Sequence, residues 1–167
     1  MTMIIPSIDI ARPNRFAIII TPPSAISPVI LRESNVESVS MPGLSVSTLD
    51  YDLDNYPTFK VPYRRVPEGT VSISVRLEEN GKTRLELKKW MDLVVGQQGG
   101  RYFSKYLNEV VGSIVIHQLD LHGKKTFGVL LSGAYPVNMD SVAYDWGDTN
   151  SYVKQTISFS YFDERSF

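Results

Sequence analysis

Apolar and polar side chains alternate strictly in several stretches of this chain, and that alternation predicts its architecture. Val71, Ile73, Val75 and Leu77 interleave with Ser72, Ser74 and Arg76, the period-two signature of a strand with one buried face. Over 47–54, Leu49, Tyr51 and Leu53 fall on one face and Asp50, Asp52 and Asp54 on the other. Over 152–162, Val153, Ile157, Phe159 and Tyr161 oppose Lys154, Thr156, Ser158 and Ser160. Further strands are expected at 15–21, 35–41, 60–66, 112–121, 126–137 (interrupted by Gly133) and 142–146. Turn-forming groups separate them: Arg12-Pro13-Asn14, Pro22-Pro23, Pro42-Gly43, Tyr56-Pro57, His122-Gly123-Lys124 and Asp148-Thr149-Asn150.

After Asn80-Gly81 the period changes. Leu87, Trp90, Met91 and Val94 stand at i, i+3, i+4 and i+7, an amphipathic stripe that predicts a helix over 84–95. Thr83 followed by Glu86 fits a capping box, and Gly96 fits a C-terminal stop. Residues 96–100 are expected as a flexible joint, and 102–111 has no clear period. Hairpin-length connections favour antiparallel pairing. The expected fold class is therefore mostly β (α+β). Two antiparallel sheets form a sandwich or partial barrel with one flanking α-helix. Residues 1–167 are expected to make a single domain with a protruding charged hairpin at about 44–66.

Composition removes function classes rather than adding them. The 167 residues suffice for one domain with a real core. There is no cysteine, so disulfides and thiol chemistry are excluded. Residues 1–9 lack the basic region and long apolar run of a signal peptide. The apolar run at 16–20 is far shorter than a bilayer span, and no membrane anchoring is expected. The formal net charge of -1 argues against a dedicated nucleic-acid binder. His117 and His122 sit in and just after a strand and point to opposite faces, so with Asp120 they form at most a two-ligand fragment where zinc needs three or four. No G-x-S-x-G elbow is present. Gly123-Lys124-Lys125-Thr126 lacks the leading glycine of a phosphate loop, with Gln118 in its place. Glu78-Glu79 and the aspartates at 50, 52 and 54 look like charged strand edges rather than catalytic pairs. No catalytic residue, cofactor or metal is expected.

One charge pattern does carry information. Asp50, Asp52 and Asp54 precede the turn at Tyr56-Pro57, and Lys60, Arg64 and Arg65 follow it. Such a hairpin either pairs within itself or meets an oppositely charged surface of an identical subunit, which generates rings or filaments.

In their order, these features resemble the tail tube proteins of contractile-tailed bacteriophages. The resemblance runs from Ala11-Arg12-Pro13-Asn14 and Phe16, through 70–77 and the Trp90 helix with Gly96-Gln97. It continues through 130–133, Tyr135-Pro136, Val137-Asn138, Tyr144-Asp145-Trp146 and the 153–161 strand. Residues 22–35 and 44–66 depart from the typical pattern, and the hairpin is also similar to that of tube-initiating rings at the baseplate. The resemblance implies hexameric rings whose inner sheets close into one β-barrel. It further implies head-to-tail stacking inside a sheath, a baseplate hub or tube initiator below, and a tape measure protein and DNA in the lumen, held without specific binding. The location implied is the virion tail, assembled in host cytoplasm. Under it, Asp50, Asp52, Asp54, Lys60, Arg64 and Arg65 are candidate stacking contacts, and Ser72, Ser74, Ser158 and Ser160 are candidate barrel-wall residues. An alternative of another class is a monomeric β-sandwich binding module, whose sign would be an aromatic platform at Tyr102, Phe103 and Tyr106.

Overall fold

A computed structural model describes residues 11–26, 35–52, 54, 57–98, 101–147 and 151–167. Eleven strands and two helices are found there. The strands are β1 (Phe16–Thr21), β2 (Val36–Val39), β3 (Leu44–Tyr51), β4 (Phe59–Pro67), β5 (Thr70–Arg76), β6 (Val95–Gln98), β7 (Arg101–Ser104), β8 (Gly112–Leu119), β9 (Lys125–Met139), β10 (Lys154–Ser160) and β11 (Asp163–Ser166). The helices are α1 (Lys82–Val94) and α2 (Leu107–Val110).

Two antiparallel sheets face each other as a sandwich. One runs β1-β8-β9-β11 and the other β9-β10-β5-β2. Strand β9 belongs to both. It pairs with β11 up to Ser132 and with β8 up to Ala134, and from Tyr135 it pairs with β10. The change of sheet occurs at Gly133, whose φ of 68° lies in the left-handed region, where a glycine has no Cβ penalty. The Phe162 ring occupies the space a side chain would need. A bent strand shared by two sheets is how a sandwich turns a corner.

The inner faces make the core. Ile18, Ile114, Ile116 and Leu131 from one sheet meet Val71, Ile73, Val75, Ile157 and Phe159 from the other, all essentially without solvent exposure. Helix α1 closes this layer with Leu87 and Trp90. Trp90 stacks obliquely on Phe159, with centroids 5.7 Å apart, and its indole N–H donates to the Val110 carbonyl at 2.8 Å. Buried tryptophan is stabilised by such a partner.

The helix is where expected, but its ends differ. The Thr83–Glu86 capping box does not form, because Thr83 is buried and Glu86 pairs with Lys89 at 2.8 Å. Instead Gly81 takes a left-handed N-cap and the Asn80 side-chain oxygen accepts from the Lys82 N–H at 3.0 Å. Gly96 does not end the helix either. Val95, expected as the last helical residue, is already extended, and with residues 96–98, expected as part of a joint, it pairs with β7 as a second small hairpin. Gly96 makes room there for the Phe103 ring, which would lie 2.3 Å from an added Cβ. The strand expected at 142–146 is absent. That segment has no regular structure and ends in a turn, with Tyr144 and Trp146 exposed, so its alternation reports no buried face. The expected turn at 148–150, residues 1–10, Leu53 and Tyr56 lie outside the described residues.

Candidate assembly surfaces

The outer face of the β5–β10 pair is a hydroxyl surface. Cross-strand register sets Ser74 opposite Thr156, Ser72 opposite Ser158 and Thr70 opposite Ser160. Their strand neighbours Val71, Ile73, Ile157 and Phe159 point the other way into the core. The Ser74 and Thr156 hydroxyls bond each other at 2.9 Å. The Ser160 hydroxyl donates to the Gly69 carbonyl at 3.2 Å, and the Ser72 N–H donates to the Ser40 hydroxyl at 3.0 Å. Spacing puts Ser72 with Ser74 and Ser158 with Ser160, and the register joins the two pairs on one face, where none is fully buried. Gln155 on the opposite face is missed by the sequence pattern. It is buried among apolar neighbours, and its amide nitrogen donates to the Asp140 carbonyl at 2.9 Å.

A charged cluster closes one end of this face. Arg76 and Lys154 are paired in register, and Lys154 reaches Glu37 at 2.6 Å, where the Tyr152 hydroxyl also donates at 2.7 Å. The Arg76 guanidinium lies 4.6 Å from the centre of the Tyr152 ring, a cation–π geometry. The Lys154 ammonium, then the Tyr152 hydroxyl, hold the Glu37 carboxyl below the usual carboxylate range. The same hydrogen bond raises Lys154 above the usual lysine value. The sequence places these residues at polar positions, but which of them meet depends on a register between distant segments.

The expected hairpin is β3–β4. Asp50 stands opposite Lys60, Leu49 opposite Val61 and Tyr51 opposite Phe59, while Arg64 and Arg65 stand opposite Ser47 and Val46 nearer the base. Because β-strand side chains alternate, Arg64 and Arg65 leave on opposite faces. Charge is therefore divided along the hairpin, acidic at the tip and basic at the base, rather than as one acidic and one basic face. Among the described residues, no ion pair joins the two arms; Asp52 instead accepts from the Thr58 hydroxyl. Nearly every hairpin side chain is exposed, including Leu49, Tyr51, Phe59 and Val61.

The histidines stand apart. His117 is buried on the outer face of the first sheet, edge-on to Phe167 at 5.5 Å. His122 lies in the turn where the Asp120 carboxylate accepts the His122 and Lys124 N–H groups, each at 2.8 Å. Those backbone donors, the Lys124 N–H foremost, hold the Asp120 carboxyl below its usual value. Among the described residues, no three metal-ligating side chains converge, and no helix is long and apolar enough to cross a membrane.

Comparisons with solved structures place this sandwich among known relatives in fold. A chain of the PVC sheath–tube complex of an extracellular contractile injection system, in the extended state, superposes with a TM-score of 0.67 at 19% identity, covering 95% of this chain and 91% of that one. A chain of the anti-feeding prophage tube-terminating cap gives 0.66 at 17% identity, covering 99% of each. An Hcp protein gives 0.50 at 12% identity, covering 92% of this chain and 99% of that one. A comparison with curated proteins returns no match. The profile of the phage tail tube protein family, however, matches residues 11–163, nearly the whole chain. With a two-sheet sandwich, a hydroxyl outer face and an exposed hairpin already in place, this chain belongs to the phage tail tube protein family.

Proposed function

We propose that this chain is a single tube domain that forms hexameric rings, and that the rings stack into the inner tube of a contractile tail. The carrying observation is the β5–β10 face. It is uncharged through its middle, lined by Ser72, Ser74, Ser158 and Ser160, and backed by a dry core. A barrel wall has this build, apolar on the packed side and polar on the wet side. Joining the edges of the β9-β10-β5-β2 sheet between copies would remove the exposed strand edges that soluble proteins otherwise protect. A wall without clustered Lys and Arg through its middle attracts phosphate weakly, which suits a conduit that lets DNA, and the tape measure protein before it, slide without specific binding. The exposed hairpin, with Asp50, Asp52, Asp54, Lys60, Arg64 and Arg65, makes intersubunit contacts in this reading. The sheath surrounds the tube, the baseplate hub or tube initiator lies below, and the assembly resides in the virion tail after forming in host cytoplasm. Negative-stain electron microscopy of the purified protein tests this. Hollow stacked tubes are expected. Isolated rings would favour a tube initiator joining hub to tube, and monomers at every concentration would refute the reading.

A further inference from the structure

Two exposed apolar surfaces on this chain are flanked by opposite charge. The first is the tip of the β3–β4 hairpin. Leu49 and Val61 are cross-strand neighbours, as are Tyr51 and Phe59, and the two rings lie 5.4 Å apart. This side is apolar and exposed, and its surroundings are acidic, with Asp50, Asp52 and Asp54 against Lys60 alone. The second is the β6–β7 ribbon and the segment after it. Tyr102 is 77% exposed and Tyr106 81%; Phe103, also exposed, leaves the opposite face of β7 from Tyr102 and lies over Gly96. Arg101 and Lys105 flank these rings, and the first acidic residue beyond them is Glu109 on α2.

We propose that the hairpin tip of one copy docks on the β6–β7 aromatic ribbon of a second copy. This rests on the self-assembling tube reading above, and it names the receptor that reading leaves open. The tip brings paired aromatic and aliphatic groups with surplus negative charge, and the ribbon brings aromatic groups with surplus positive charge. Aromatic side chains flanked by complementary charge are the composition of an interface centre and rim. The tip surface differs from the ribbon surface, so the contact is heterologous. A heterologous contact propagates from copy to copy, closing a ring or extending a stack. The base arginines Arg64 and Arg65 remain free for a separate contact.

The chain has no cysteine, so introduced thiols report this contact without background. Two single-cysteine proteins, Asp52→Cys and Lys105→Cys, are mixed, assembled and oxidised. The expected product is a disulfide-linked heterodimer that neither protein gives alone. In parallel, Asp50→Lys with Asp52→Lys should raise the concentration needed for assembly about tenfold, equivalent to ~1.4 kcal/mol. Arg101→Glu with Lys105→Glu should do the same, and an equal mixture of the two reversed chains should recover part of the loss through mixed contacts. All four positions are exposed, so circular dichroism should match the parent chain. Tubes that form normally while the mixed thiols stay unlinked, or link only within one variant, overturn the docking and leave the tube reading intact. A parent chain that never assembles overturns both.

Discussion

Trp90→Phe probes the packing that joins α1 to the sandwich. Trp90 is fully buried, its ring meets Phe159 at 5.7 Å, and its indole N–H is donated to the Val110 carbonyl at 2.8 Å. Phenylalanine keeps the aromatic contact but withdraws the donor and leaves a smaller ring. Val110 is buried, so its orphaned carbonyl costs about 1–3 kcal/mol. The space vacated adds about 1 kcal/mol at ~24 cal/mol per Å³. Together the loss is about 2–4 kcal/mol, or a Tm lower by roughly 5–15 °C for a domain of this size. Assembly would add stability by mass action, so the measurement is made on dilute protein that sedimentation shows to be unassembled. Trp146→Phe is the internal control. Trp146 is fully exposed, and its replacement should stay within about 0.5 kcal/mol. Equal denaturation midpoints for the two variants would refute the account of how α1 is anchored.

Other outcomes follow from the same structure. Gly133→Ala should destabilise more than Gly123→Ala by at least about 1 kcal/mol, because both impose strain at positive φ but only the first drives a Cβ to 2.2 Å from the Phe162 ring; urea midpoints of the two variants check this. The Glu37–Lys154 pair should stabilise the fold between two limits. A carboxyl lowered in the fold contributes above its unfolded value of 4.5 and loses that contribution as pH falls through its folded value. An ammonium raised in the fold contributes below 10.5 and loses it as pH rises through its folded value. Glu37→Gln should flatten the acid limb of a Tm–pH curve, and an unchanged limb would contradict the assignment. Arg64→Glu with Arg65→Glu should impair assembly at low salt while circular dichroism stays unchanged. Truncation before Tyr152 removes β10 and β11 and should leave no soluble folded protein, as gel filtration would show.

The sandwich was readable because the period-two patterns of its central strands coincide with a buried face. In β5, Val71, Ile73 and Val75 are all buried, and in β10 the same holds for Ile157 and Phe159. The β6–β7 ribbon was not readable, since a glycine followed by glutamines has the composition of a joint, and the Phe103 ring that lies over Gly96 comes from the facing strand. Strand β11 escaped for a related reason. Asp163-Glu164-Arg165-Ser166 shows no apolar alternation, yet its backbone pairs with β9. At 142–146 the error ran the other way, because Val142, Tyr144 and Trp146 alternate without a face to bury. Of the candidate assembly residues, spacing alone made Ser72 and Ser74 one face and Ser158 and Ser160 another; that the two faces are continuous follows from the β5–β10 register. The hairpin charges were legible as charges but not in their arrangement. The bulge between Ser47 and Thr48 and the strand register set which of them face each other, and neither is written in composition.

The central claim is that the hydroxyl face of β5–β10 lines the channel of an assembled tube. Cryo-electron microscopy of the assembled protein tests it directly. The account predicts a hollow stack of rings with Ser72, Ser74, Ser158 and Ser160 facing the channel and the edges of the β9-β10-β5-β2 sheet paired between copies. An assembly in which those serines face outward, or are buried between rings, would contradict it.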